Sequence, residues 1–99
     1  DAFTARVRAA ADDAGDLVWP MPLHRRYDPL IRSKVADLSN AAASRMAPGA
    51  VYAAQFLGQF TDDTPWCHVD VAGTAMVKGA GTGFGVGLCV ALAESMAEG

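Results

Sequence analysis

The stretch that decides the fold runs from Thr64 to Gly87 and reads TPWCHVDVAGTAMVKGAGTGFGVG. Its first part, from Trp66 to Val71, is rich in β-forming residues and is bounded by Pro65 and Gly73, which predicts a β-strand. The glycine-rich remainder predicts a loop that leads into a final helix. Together the two parts predict a strand, a loop and a helix in direct succession.

The beginning of the chain predicts an amphipathic helix followed by an extended segment. Apolar residues recur at spacings of three and four before Gly15, at Phe3, Val7, Ala10 and Ala14. The segment from Leu17 to Leu23 contains Pro20 and Pro22, which exclude a helix and a central strand. We therefore expect this segment to follow the surface or to form a sheet edge.

Three further helices are expected. Asp28 and Pro29 predict the start of one, because aspartate caps free amides and proline suits a first helical turn. Its buried positions would be Ile31, Val35 and Leu38. After a predicted loop from Asn40 to Pro48, the spacing of aromatic residues predicts a helix from Gly49 to Phe60. The last helix has an apolar stripe and is apolar on most sides, so we expect burial from more than one direction; the stripe is Phe84, Leu88, Leu92 and Met96.

The amino-acid composition argues against some classes of function. The 99 residues are 52% hydrophobic, yet no apolar run approaches the ~18 residues of a membrane-spanning helix. The net charge is −3 and the basic residues are scattered, apart from the Arg25 and Arg26 pair, which argues against nucleic-acid binding. Cys67 and Cys89 show no pairing signature, so we expect two buried thiols in a reducing cytoplasm. The apolar excess predicts a protein partner.

A single strand predicts an incomplete domain. One strand cannot satisfy its own edge amides and carbonyls, so we expect Trp66 to Val71 to pair with a strand from outside this chain. Helices around one strand are typical of the back part of a larger α/β/α layer, and we interpret residues 1–99 as a single partial domain. The sequence begins without methionine or a signal-peptide pattern, which suggests a cut or processed terminus.

The chemistry-bearing candidates are few. His68 and Asp70 lie two apart on the predicted strand and share a face, where they could serve as a metal or acid–base pair. Two ligands do not make a metal site, and the alternative is a hydrogen-bonded pair that caps neighbouring backbone. Cys67 would point to the opposite face, which disfavours both a third ligand and cysteine–histidine catalysis.

The glycines from Gly79 to Gly87 could suggest a phosphate-binding loop. Their spacing does not match a dinucleotide fingerprint, and no lysine follows as in a P-loop. The alternative is that Thr82 caps the following helix while the glycines let the backbone pass closely. We expect this second arrangement.

Several short motifs follow one another in a fixed order over most of residues 16–94. They are Trp19-Pro20-Met21-Pro22-Leu23, Ala36-Asp37 with Asn40, Ala53-Ala54 with Phe56-Leu57, Thr64-Pro65-Trp66, His68 through Gly73, and Gly81 through Gly85. This series resembles the C-terminal segment of the leucyl aminopeptidases, the two-metal cytosol aminopeptidases. The resemblance is more specific than any single motif in the chain.

The resemblance implies an α/β fold, namely the C-terminal portion of an α/β/α layered metallo-aminopeptidase domain with helices around a central strand. It implies removal of N-terminal amino acids from peptides, with two divalent metal ions, zinc or manganese, polarising the scissile carbonyl and activating water. The implied partners are the peptide substrate and the remainder of the same catalytic domain, in a cytoplasmic homo-hexamer.

The same resemblance limits what this segment can do. The family's metal ligands are a lysine, three aspartates and a glutamate, and the motif that carries its catalytic arginine does not occur here. Lys34 and Lys78 lack the matching context, so we expect no catalytic residue and no bound metal in this segment alone. The resemblance does imply that Ala72 lines the pocket for the substrate's first side chain, with Ala75 and Met76 as further candidates.

Two departures from the family pattern stand out. Gly87 replaces a usual arginine and should weaken the last helix by about 1 kcal/mol relative to alanine. The stretch from Ser44 to Pro48 replaces a glycine-richer turn, near the pocket or a subunit interface. Two other readings stay open: a non-catalytic binding or assembly module, and a small metal or thiol protein built on Cys67, His68 and Asp70.

Overall fold

The computed structural model describes residues 1–40 and 49–98. It contains three α-helices, two 3₁₀ helices and a two-stranded sheet: α1 (Ala2–Ala14), a 3₁₀ helix (Arg25–Ile31), α2 (Gly49–Leu57), a 3₁₀ helix (Gly58–Phe60), β1 (Met76–Val77), β2 (Ala80–Gly81) and α3 (Val86–Ala97). This helix-rich mixture agrees with the predicted α/β class at that coarse level. None of the helices in the described ranges has the length and apolar character needed to cross a membrane.

The chain divides into two compact units, Asp1–Pro20 with Val69–Gly99, and Met21–His68. In the first unit α1 packs against α3. The core of this unit is formed by Val7, Ala11 and Leu88, which are buried, and Phe3, Val18 and Leu92 pack against them. Small side chains on α1 let the two helices approach closely.

The predicted first helix is confirmed, including its end. Asp1 caps it, because its carboxylate accepts a hydrogen bond of 2.8 Å from the Thr4 amide. Gly15 ends it in the left-handed conformation with φ 76°, which glycine adopts at little cost. The Gly15 amide donates to the Asp12 carbonyl and the Asp16 amide donates to the Ala11 carbonyl. These two bonds form a Schellman motif, which fixes Asp16 directly beyond the helix.

The start of α3 is capped from a distance. Gly85 is the N-cap residue and has no side chain to offer. The Oδ2 atom of Asp16 instead accepts hydrogen bonds from the Gly85 amide at 3.1 Å and the Leu88 amide at 3.0 Å. The prediction that Thr82 caps this helix is therefore wrong. The Thr82 hydroxyl accepts from the Phe84 amide, which precedes the helix.

The packing of this unit explains why position 87 is a glycine. A Cβ atom at this position would lie 3.1 Å from the Cβ of Ala14 and 3.6 Å from Oδ2 of Asp16.

The expectation that α3 is buried from more than one direction is wrong for the described residues. Its one buried residue is Leu88, while Val90 is 52% and Met96 54% exposed. Among the helices and strands of the described residues, only α1 contacts it.

In the second unit α2 packs against the 3₁₀ helix Arg25–Ile31. The buried residues described in this unit are Ile31, Val51, Tyr52 and Gln55. The Tyr52 hydroxyl donates to the Ser39 carbonyl at 2.8 Å, and the Phe56 and Phe60 rings meet edge to face at 5.3 Å. The predicted helix from Gly49 to Phe60 is thus confirmed as an α-helix with a 3₁₀ end.

The prediction that a helix starts at Asp28 and Pro29 is wrong, because a 3₁₀ helix begins at Arg25 and ends at Ile31. The carboxylate of Asp28 accepts from the side-chain amide of Gln55 rather than from nearby backbone. Beyond Ile31, the Ser33 hydroxyl accepts from the Val35 and Ala36 amides, a local turn that competes with a helix. Consistently, Val35 is 95% exposed rather than buried.

The segment from Leu17 to Leu23 is neither helix nor strand, as predicted. Its exposed large apolar side chains are Leu17, Trp19, Met21 and Leu23. The predicted loop from Asn40 to Pro48, including the stretch from Ser44 to Pro48, lies outside the described residues except for Asn40.

The prediction of a strand from Trp66 to Val71 is wrong for the described residues, where this segment has no regular structure. A strand exists only through hydrogen bonds to a neighbour, and the described residues pair only β1 with β2. These strands are antiparallel and joined by Lys78 and Gly79, which have φ values of 50° and 80°. Two positive φ values in a two-residue connection are typical of a type I′ hairpin turn.

Removal of the Asp16 carboxylate should destabilise the first unit. We expect Asp16→Ala to lower the free energy of unfolding by about 1 to 2 kcal/mol, since it leaves the Gly85 and Leu88 amides without their acceptor. Asp16→Asn should lose less, because an amide oxygen still accepts. Urea denaturation measures the effect, and Asp13→Ala on the exposed side of α1 is the charge-matched control. Equal stability of the two alanine variants would contradict the cap.

The isolated segment should expose apolar surface. Leu17, Trp19 and Val35 are 86%, 83% and 95% exposed, and the Trp66 to Val71 segment has no strand partner in the described residues. We therefore expect the 99-residue chain, expressed alone, to self-associate or to bind a hydrophobic dye. Light scattering and dye fluorescence test this. A monomer that binds no dye and melts cooperatively would count against it.

Candidate functional site

The three predicted pocket residues lie on one turn that connects Val71 to the hairpin, called here the 71–76 turn. The Asp70 carboxylate accepts a hydrogen bond of 3.0 Å from the Ala72 amide. The carbonyl of Val71 accepts from the Thr74 amide at 3.0 Å and from the Ala75 amide at 2.8 Å. Local hydrogen bonds therefore define the path of the backbone through the turn.

The structure places Ala72, Ala75 and Met76 within this single turn and its exit into β1. Ala72 and Met76 are exposed, and Ala75 is half-buried. Small or flexible side chains at such positions leave room for a ligand side chain. Their role in substrate binding stays a prediction.

The far side of the turn is tied to the glycine-rich loop. The Thr82 amide donates to the Ala75 carbonyl at 2.9 Å, which extends the hairpin by one residue pair. The Thr82 hydroxyl lies 2.6 Å from the Thr74 carbonyl oxygen and 3.1 Å from that of Ala75. The glycine-rich loop thus serves as a backbone support for the 71–76 turn.

An apolar groove of about 520 Å³ lies in the first unit. It is lined by Val69, Val71, Phe84, Gly85, Val86, Leu88 and Cys89. None of the three predicted pocket residues lines it, and it contains no acidic, basic or imidazole group. Such a groove can accept an apolar group, and among its lining side chains only the Cys89 thiol is ionisable.

His68 and Asp70 do not form a hydrogen-bonded pair in the described residues. Asp70 caps the Ala72 amide, which agrees with the backbone-capping part of one sequence alternative but not with its hydrogen-bonded pair. The Nε2 atom of His68 is buried and has no hydrogen-bond partner among the described residues. A carboxylate engaged with its own backbone and an unpaired imidazole do not make an acid–base pair.

The prediction that both cysteines are buried is wrong, since Cys67 and Cys89 are exposed. Cys89 lies on a part of α3 that α1 does not cover, and Cys67 lies in the irregular segment before the turn. Partial burial of the thiol nevertheless raises the pKa of Cys67. A raised pKa lowers the thiolate fraction, which is the opposite of what a nucleophilic cysteine needs.

The described residues do not fit a metal centre. No group of three or more histidine, cysteine, aspartate or glutamate side chains in residues 1–40 and 49–98 could hold a metal ion. A catalytic zinc site needs three protein ligands. The reading of a small metal protein built on Cys67, His68 and Asp70 therefore has no geometric support.

Comparison with known proteins gives consistent matches. The catalytic-domain model of the cytosol aminopeptidase family matches residues 1–90. A probable cytosol aminopeptidase of Nitrobacter winogradskyi is 47% identical over 95 residues, which cover 89% of this chain and 19% of the relative. The probable cytosol aminopeptidase of Chelativorans sp. is 43% identical over 106 aligned positions, which cover 100% of this chain and 21% of the relative. That of Dinoroseobacter shibae is 48% identical over 85 positions, which cover 78% of this chain and 17% of the relative.

The order of the motifs and these matches define a peptidase segment. The chain belongs to the cytosol aminopeptidase family, in the part of the sequence that its catalytic-domain model describes. This confirms the resemblance stated from the motifs. The chain spans about a fifth of the length of the curated relatives that it matches, 19% of the Nitrobacter winogradskyi protein and 21% of the Chelativorans sp. protein.

Two residues that organise the site were missed from the sequence. Asp16 follows a helix and its glycine cap, where an aspartate is unremarkable, and its partners lie 69 and 72 residues away. No local signal could have revealed such a pairing. Thr82 was assigned to the wrong partner, although the short Met76 to Gly81 stretch around Lys78 and Gly79 could have suggested a hairpin that places Thr82 opposite Ala75.

The isolated segment should have no peptidase activity. Metal-assisted hydrolysis needs a set of ligands that the described residues do not assemble. We expect no release of the chromophore from leucyl-anilide by the purified 99-residue chain, with or without added zinc or manganese. Metal-dependent turnover that co-purifies with the chain and survives a second purification step would contradict this.

Proposed function

We propose that this chain is the C-terminal segment of a metal-dependent, leucyl-type aminopeptidase that releases N-terminal amino acids from peptides. The observation that carries the proposal is the match of the family's catalytic-domain model over residues 1–90. The relatives that match are probable cytosol aminopeptidases, and the chain is 47% identical to one of them. No observation in residues 1–40 and 49–98 favours the alternative of a non-catalytic binding or assembly module.

On this proposal the chemistry resides outside the segment. Two divalent metal ions, zinc or manganese, polarise the scissile carbonyl and activate water in such an enzyme. We propose that the metal ligands and catalytic groups belong to the remainder of the catalytic domain. The segment contributes shape and backbone support.

The contribution to substrate binding is assigned to the 71–76 turn. Ala72 lies where the backbone leaves the 66–71 segment, and its amide is engaged by Asp70, so its methyl group is what it can present. A small side chain leaves volume for the first side chain of a peptide substrate. Ala75 and Met76 follow on the same turn and are proposed as further lining residues.

The proposed homo-hexamer and cytoplasmic location rest on the same family membership. The exposed apolar side chains, such as Trp19 at 83%, support cover by the remainder of the catalytic domain and by other subunits of a homo-hexamer. The relatives are called cytosol aminopeptidases, which supports a cytoplasmic location for this protein.

The pocket role of Ala72 is tested in the full-length enzyme that carries this segment. Ala72→Leu should reduce kcat/KM for leucyl and methionyl substrates much more than for alanyl substrates, because the added side chain fills the pocket. We expect the ratio of leucyl to alanyl kcat/KM to fall about tenfold or more, which corresponds to roughly 1.4 kcal/mol. Metal content should stay unchanged.

Ala9→Leu, on the exposed side of α1, is the matched control for added volume. If Ala72 is only a packed small residue, its replacement should lower stability by about 1 to 3 kcal/mol and depress all substrates alike. Melting temperatures measured beside the specificity constants separate the two cases. A leucyl to alanyl ratio equal to that of the unmodified enzyme would rule out the pocket role.

A further inference from the structure

The hydroxyl of Thr82 stands between the 71–76 turn and the start of α3. On one side it lies 2.6 Å from the Thr74 carbonyl oxygen, to which it donates, and 3.1 Å from that of Ala75. On the other side it accepts from the Phe84 amide at 3.1 Å. One side-chain oxygen therefore joins the two segments that precede and follow the hairpin.

The segment on the helix side is held firmly. The Phe84 amide is followed by Gly85, whose amide donates to Asp16 at 3.1 Å, and α3 begins at the next residue. Asp16 is itself fixed by the Schellman motif at the end of α1. The position of Thr82 is therefore fixed by the packed helices α1 and α3, and not by the hairpin alone.

The segment on the turn side has little other support. The strands β1 and β2 are two residues long each, and Met76 and Val77 are 60% and 61% exposed. A two-stranded hairpin this short is marginal in water. The hydroxyl of Thr74 makes a long contact of 3.4 Å to the Val71 carbonyl, within the turn itself. Thr82 is therefore the side chain that connects the turn to the helices.

We propose that Thr82 is a positioning residue for the substrate pocket. Its hydroxyl holds the 71–76 turn at the distance from α3 at which Ala72, Ala75 and Met76 meet the first side chain of the peptide. This inference rests on the proposed function, since it assigns the pocket to that turn. Thr82 itself does not touch the substrate, and it acts through the Thr74 and Ala75 carbonyls.

The consequence is a change in selectivity rather than in the chemical step. Without the hydroxyl, the turn keeps the Thr82 backbone bond to Ala75 but loses its side-chain link, so its distance from α3 varies more. A leucyl side chain depends on contacts with the turn, whereas an alanyl side chain reaches it less. The KM for leucyl substrates should rise while kcat stays nearly constant.

The test compares Thr82→Val, Thr82→Ser and Thr64→Val in the full-length enzyme, with leucyl- and alanyl-p-nitroanilide as substrates; Thr64 is exposed and lies outside the 71–76 turn. Valine keeps the shape and removes the hydroxyl, and serine keeps the hydroxyl. We expect Thr82→Val to lower the leucyl to alanyl ratio of kcat/KM by about three- to tenfold, the loss typical of one or two hydrogen bonds. Thr82→Ser and the matched control Thr64→Val should stay within about twofold of the unmodified enzyme.

The Ala72→Leu enzyme distinguishes the possible failures. If Ala72→Leu changes the ratio and Thr82→Val does not, the positioning role is overturned and the pocket stands. If neither changes it, the pocket assignment fails, and hydrogen exchange at the Ala75 amide decides the positioning role. Faster exchange in Thr82→Val than in Thr82→Ser supports the link between turn and helix, and equal exchange overturns it. Thr82→Ala replaces the valine variant if the latter does not fold.

Discussion

The carboxylate of Asp16 joins the end of one helix to the beginning of another that lies far away in the sequence. Because Gly85 has no side chain to cap the helix, the Gly85 and Leu88 amides take their acceptor from Asp16. A negative charge at a helix N-terminus is also favoured by the helix dipole. The packing of Val7, Ala11 and Leu88 and the support of the 71–76 turn both depend on this connection.

The connection explains why small residues occupy both sides of the contact. An added Cβ at Gly87 would lie 3.1 Å from the Ala14 Cβ, closer than side chains usually approach. Glycine costs a helix about 1 kcal/mol relative to alanine, and a lost cap costs about as much or more. The glycine at 87 therefore weakens α3 locally but lets Asp16 reach its first turn. Any side chain at position 87 would have to make room for its Cβ against Ala14.

The sequence predicted what is decided locally. Apolar periodicity identified the helices Ala2–Ala14, Gly49–Leu57 and Val86–Ala97, and proline placement excluded regular structure from Leu17 to Leu23. Two of the failures depend on distant partners. Asp28 resembles a helix cap, but Gln55, 27 residues away, takes its carboxylate. Trp66 to Val71 has the composition of a strand, but a ladder needs a neighbour, and composition carries no information about where that neighbour lies.

The candidate site shows the same division between local and distant information. The motifs located the turn with Ala72, Ala75 and Met76, but not the Thr82 hydroxyl that ties the turn to the helices. On the proposed function this segment supplies a pocket wall and no reacting group. It therefore affects substrate preference through the position of the pocket wall and not through the chemical step. Its polar side chains have supporting roles. Asp70 and Thr82 form hydrogen bonds with the backbone of the turn, and Asp16 caps α3, the helix to which Thr82 connects the turn. A wall supported in this way can alter substrate preference while the metal-binding groups elsewhere in the enzyme stay unchanged.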